Sequence, residues 1–171
     1  MKREPERLQL LRQVSIFEGL TDEELQHVAT LEQERRYPKN TLIFVEGERG
    51  RAFYYVKSGL IKIYKLTPDG GEQILSVWGP PELFGAVVLI DEGPYPANAE
   101  TLTAATLGVF WVSDFRRLLD ANPRLNRKIM RELAHRLRTA HNRIRDLALK
   151  DVKARLASLL LDLARRHGRG D

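Results

Sequence analysis

The chain has 171 residues, of which 28 are basic and 23 acidic, a formal net charge of +5, and no cysteine. Without cysteine there can be no disulfide, no thiol redox sensing, and no zinc or iron–sulfur site built on thiolates. No stretch approaches the roughly 18 apolar residues of a membrane span, and Glu4, Glu6, Arg7 and Arg12 interrupt any signal-peptide core, so the composition predicts a soluble cytoplasmic protein.

Residues 6–13 read as a short amphipathic helix with Leu8 and Leu11 inward. Thr21 is a good N-cap, and Glu24 three residues on completes a capping box for a helix carrying Leu25, Val28, Ala29 and Leu31. Tyr37-Pro38 ends this helical region. From 41 to 112, β-rich runs are cut at near-regular intervals by Gly and Pro. That pattern argues for a sandwich, barrel or jelly roll. Within 60–66, Leu60, Lys62, Tyr64 and Leu66 share one face while Ile61, Ile63 and Lys65 share the other. Asp69-Gly70-Gly71 then closes a hairpin onto a strand at 72–78. Residues 80–96 form a long Gly- and Pro-rich connection holding a helical turn at 86–90, the kind of loop that binds ligands. Two more strands follow at about 98–103 and 106–112, and Ser113 is read as the cap of a short helix at 114–121.

Asn122-Pro123 opens a long helix, with Pro at a favourable first-turn position. On it, Met130, Leu133, Leu137, Ala140, Ile144 and Leu147 are spaced alternately by three and four, an a/d seam for a parallel dimer. The other reading is a helix packed on its own barrel, using Leu125 and Ile129 as well. Asp151 caps a last helix whose face of Val152, Leu156, Leu159, Leu160 and Leu163 has no domain to pack on, which implies a further piece downstream. Residues 124–171 hold fourteen basic and five acidic residues, a net +9, against −4 for the part before them. This suits a module lying near nucleic acid, and equally a solvated helix surface.

The turn spacing together with this C-terminal plan resembles the cAMP receptor protein/FNR (Crp/Fnr) family of bacterial transcription regulators. The residues that carry the resemblance cover nearly the whole chain. They are Ile43-Phe44-Val45-Glu46-Gly47-Glu48, the run 54–64, Phe84-Gly85, Pro94-Tyr95-Pro96-Ala97, Asn122-Pro123, Arg136-Leu137 and the run 151–156. The resemblance implies a mainly β fold with α, a cyclic-nucleotide-binding-type double-stranded β-helix (jelly roll) over 1–121. It further implies a dimerisation helix at 122–150, and at 151–171 the first helix leading to a winged helix-turn-helix that this sequence does not contain. It also implies a homodimer that meets DNA through that missing domain, with RNA polymerase as a further partner, no membrane and no enzymatic activity. Without a recognition helix, the chain itself is not expected to read bases.

Members that bind cAMP hold its phosphate with an Arg and its ribose with a Glu, and meet adenine with a Thr-Ser pair on the long helix. A buried phosphodiester needs such a cation and N–H donors. Here the resemblance places Ala86 where the Glu stands, Tyr95 where the Arg stands, and Ala140-His141 where the Thr-Ser pair stands. Glu82 superficially mimics the Glu motif, but Phe84-Gly85 sets the register. Tight cAMP binding is therefore not expected. The corresponding effector pocket would be made by Tyr64, Phe84, Gly85, Ala86, Val87, Tyr95, Pro96, Ala97 and Asn98, closed by Leu133, Arg136, Leu137, Ala140 and His141. It would hold an apolar or aromatic effector or be filled with no ligand. Haem, with His135 or His141 as axial ligand, is a third reading, although no cofactor is the primary expectation. As for other classes, a metal-dependent jelly-roll enzyme lacks ligands, because no His lies between 37 and 112. No P-loop or nucleophile elbow is present. A regulatory domain of a kinase or channel would not need so long a seam.

Overall fold

The computed structural model describes residues 3–149. The chain divides into two compact units, Met1–Ile129 and Met130–Asp171. The first begins with helix α1 (Arg3–Gln13), a 3-10 turn (Ser15–Phe17) and α2 (Asp22–Leu31). The capping box predicted for α2 is present: Thr21 Oγ1 accepts from the Glu24 amide at 3.2 Å, and the Glu24 carboxylate accepts from the Thr21 amide at 2.8 Å. Eight strands follow, β1 (Gln33–Tyr37), β2 (Leu42–Phe44), β3 (Ala52–Ser58), β4 (Ile61–Leu66), β5 (Glu72–Trp78), β6 (Leu83–Phe84), β7 (Asn98–Thr101) and β8 (Ala105–Trp111). A four-residue helix α3 (Val88–Asp91) sits between β6 and β7, and α4 (Val112–Ala121) and α5 (Pro123–Leu149) follow β8.

The strands form two antiparallel four-stranded sheets, ordered β1-β8-β3-β6 and β2-β7-β4-β5, which make a jelly roll. β3 is buried on both sides because its residues alternate between two cores. Tyr54 faces the interior between the sheets, where it meets Phe84 of its own sheet and Phe44 of the second, and Phe44 in turn stacks on Tyr95. Phe53 faces the helices and joins Phe17, Phe110 and Phe115 in edge and stacked contacts. Such ring clusters contribute beyond their buried area. The hairpin from β4 to β5 closes as predicted, with the Thr67 amide donating to the Gly71 carbonyl at 2.8 Å and Gly70 at φ +84°.

Two expectations are corrected. The helical region expected to run to Tyr37-Pro38 instead ends in β1, a strand with no apolar alternation in Gln33-Glu34-Arg35-Arg36-Tyr37 that forms by pairing with β8 along its length. Ser113 does not cap α4. The helix starts two residues earlier than expected, at Val112, whose amide donates to the Arg51 carbonyl at 2.9 Å, so the backbone turns into helix directly from the strand. The beginning of α5 is capped by Asn122, whose Oδ1 accepts from the Leu125 amide at 3.1 Å. Leu125 and Ile129 are buried in the first unit. In the second unit Met130 and Leu137 are exposed, at 48% and 58%, and Leu133 is half-buried. The side chains of Arg136, Ala140, Ile144 and Leu147, and the whole 151–171 segment, lie outside the described residues. No described helix is long and apolar enough to cross a membrane.

Candidate functional site

The loop singled out in the sequence leaves β6 at Gly85, which adopts φ +72°, runs through α3, reverses at Glu92 with φ +56° and returns at Tyr95. Phe84 anchors its start by pairing with Tyr54 of β3. At its end the Tyr95 amide donates to the Glu48 carbonyl and the Tyr95 carbonyl accepts from the Gly47 amide, both at 2.9 Å.

Tyr95 takes the position at which the resemblance expects a phosphate-binding Arg, and it is only 4% exposed. Its ring lies parallel to that of Phe44, with centroids 3.8 Å apart and planes within 8°. Its hydroxyl donates to the Ala52 carbonyl at 2.7 Å and accepts from the Ala52 amide at 3.3 Å. The phenol is thus committed on both its ring and its oxygen. Burial raises its pKa above the ordinary range and keeps it neutral. The Phe44, Tyr54 and Ala52 partners of Tyr95 were not named from the sequence. The alternation along 52–56 could have flagged Tyr54, whereas the stack with Phe44 depends on how the two sheets meet.

The other predicted pocket residues divide. Ala86 is half-buried, Val87 exposed and Pro96 exposed, while Ala97 is buried. Asn98 is buried and structural: its Oδ1 accepts from the Glu46 amide at 3.0 Å and its Nδ2 donates to the Tyr64 carbonyl at 3.4 Å. Tyr64 shares a face of β4 with Lys62, opposite to that of Ile61 and Ile63, and its hydroxyl donates to Glu100 at 3.4 Å. Lys62 lies over the Tyr64 ring at 4.4 Å and pairs with Glu72 and Glu100, so this face carries its own ion cluster. Glu82 is turned back on its own turn, its carboxylate accepting from the Gly79 amide at 2.9 Å. From 83 to 98 the sequence contains no Lys, Arg or His, and its only charged residues are Asp91 and Glu92. His135, Leu137 and His141 are exposed on α5 in the second unit, and Leu133 there is half-buried.

Residues 34–122 match the cyclic nucleotide-binding domain family. The chain is 32% identical over 160 residues to the CRP-like cAMP-activated global transcriptional regulator of Mycobacterium tuberculosis, spanning 94% of this chain and 71% of that protein. The Thermus thermophilus catabolite activator protein superposes with a TM-score of 0.71 at 33% identity, over 90% of this chain and 72% of the other. The sensor domain of the transcriptional regulator DNR from Pseudomonas aeruginosa gives the same TM-score at 31% identity, over 89% of this chain and 99% of the other. A jelly roll followed by a long helix thus has relatives along almost its whole length, and the chain belongs to the cyclic nucleotide-binding domain family as a Crp/Fnr-type sensor domain.

Proposed function

We propose that the chain is the effector-sensing and dimerisation module of a Crp/Fnr-type DNA-binding transcriptional regulator, and that its effector is not cAMP. The observation that carries the second part is Tyr95. A cyclic phosphodiester would enter a loop with no cation between 83 and 98 and would face a phenol already stacked on Phe44 and bonded to Ala52. Leaving a buried charge without its partner costs about 3–5 kcal/mol, which removes useful affinity. Ala86 offers the ribose hydroxyls no acceptor. The first part is supported by the family and by the sequence of α5, on which Met130 and Leu137 stand exposed one heptad apart. In this reading two copies pair along Met130, Leu133, Leu137, Ala140, Ile144 and Leu147, and DNA contact belongs to a winged helix-turn-helix beyond residue 171. Calorimetric titration of the chain with cAMP tests the effector claim. No heat of binding is expected at micromolar ligand, and micromolar affinity would overturn it.

A further inference from the structure

Next to Tyr95, where β2 gives way to β3, lies a cavity of about 360 Å3 that the loop chemistry above does not use. Its walls are aromatic, formed by Phe44, Tyr54, Tyr95 and Trp111, and Arg49 and Arg51 stand at its rim. Both arginines are exposed, and neither guanidinium has an ion pair among the described residues. This sets them apart from Arg7, Lys57, Lys62, Lys65, Arg116 and Arg117, each of which is held by a carboxylate. Glu48 also lines the cavity, but its carboxylate is turned to the Val45 amide at 3.3 Å. The Arg35 guanidinium lies 5.5 Å from the Trp111 ring centroid and adds to the positive potential. A neighbouring cavity of about 520 Å3 shares Arg49, Arg51 and Trp111.

Aromatic walls under a pair of unpartnered guanidinium groups suit one kind of molecule. A flat ring lies against Trp111, with the buried Tyr54 behind it as part of the apolar wall, and a carboxylate on that ring takes a bidentate bond from a guanidinium. The volume is within the range that holds small ligands.

The rim loop is also wired to the loop that carries Tyr95. Besides the two bonds between Tyr95 and residues 47 and 48, the Gly50 amide donates to the Gly93 carbonyl at 3.4 Å. Gly50 lies so close to α3 that a Cβ built on it would fall 2.2 Å from Val88 Cγ1. Arg116 fastens the other side of α3, donating to the Leu89 carbonyl at 3.1 Å and pairing with Glu92 at 2.6 Å.

We infer that this cavity is an effector site for a small aromatic carboxylate, bound by Arg49 and Arg51 against Trp111 and Tyr54, and that its occupancy is felt by the 85–96 loop through Tyr95 and Val88. Its regulatory meaning rests on the reading of the chain as a sensor; the binding itself does not.

The test uses benzoate as the probe and the whole chain carrying Trp78→Phe, which leaves Trp111 as the only tryptophan. Saturable quenching of Trp111 by benzoate is expected, with benzamide inert and Arg49→Gln/Arg51→Gln weakening benzoate by at least about tenfold. Far-UV circular dichroism checks that the exposed arginine variants stay folded, and calorimetry with Trp111→Phe, expected to weaken benzoate also, gives a second readout. Lack of saturation by about 10 mM, a constant near 2.7 kcal/mol of affinity, overturns the site. So does equal binding of benzamide, or benzoate binding indifferent to both arginines. Arginine-dependent benzoate binding supports the site even in a protein that also binds cAMP, an outcome that would overturn only the reading under Proposed function.

Discussion

Tyr54 and Tyr55 are consecutive on β3, so they enter opposite cores, and burial pushes both phenols far above their ordinary range, with neighbouring Tyr95 adding to the first and Glu32 to the second. The folded chain keeps protons there that the unfolded chain gives up near pH 10. Because the folded pKa is the raised one, their contribution is complete below about pH 10 and declines as pH climbs beyond it, by about 1.4 kcal/mol per group and pH unit. Urea midpoints should therefore be level between about pH 7 and pH 9 and fall steeply by about pH 11. Tyr54→Phe should flatten that fall. Tyr55 also explains Gly108 on the strand opposite: a Cβ there would lie 1.9 Å from Tyr55 Cε1. The ring cannot retreat, since it is wholly buried. Gly108→Ala should cost about 1–3 kcal/mol, read as a lowered thermal midpoint.

At the level of elements, α5 is where the dimer proposal is decided. Leu137 is 58% exposed in the single chain, so replacing it should not unsettle the unit that carries it. Leu137→Arg places a charge in the proposed seam, and light scattering should then report monomer in place of dimer at the same concentration. A dimer that persists would discredit the seam. The strands show what a sequence reveals and what it conceals. β4 was legible because it alternates, and β5 because a positive-φ turn delivers it to β4. β1 was hidden because its strand character comes from β8, not from its own side chains, four of whose five positions are exposed. That a Tyr stands at position 95, where the resemblance implies an Arg, was legible. That Tyr95 would bury itself against Phe44 and Ala52 was not, since those contacts join segments distant in sequence. The cavity beside it was equally hidden, because Arg49, Arg51 and Trp111 lie on different elements.

In the first unit as a whole, one buried carboxylate ties α1, α2 and the sandwich together beside the apolar contacts. The Glu32 side chain is 1% exposed and is held by Arg7 of α1 at 2.6 Å and Lys57 of β3 at 3.0 Å. Arg7 also donates to the Ala29 and Glu32 carbonyls at the end of α2, and Lys57 reaches Glu34 of β1 at 2.7 Å. Glu32→Ala removes the carboxylate that the two cations share but leaves Lys57 its Glu34 and Arg7 its carbonyls, so it should destabilise the chain by about 1–3 kcal/mol, while Glu32→Gln, which keeps a hydrogen-bond acceptor, should cost less; chemical denaturation measures both. The strand order has a bearing on how the chain is made. Residues 33–37 find their mates only at 105–109, and β2 finds its mate only in β7. As synthesis proceeds, the earliest strands emerge with bare edges and wait for nearly the entire roll to follow, which makes for late, slow closure and gives a chaperone something to hold in the interval.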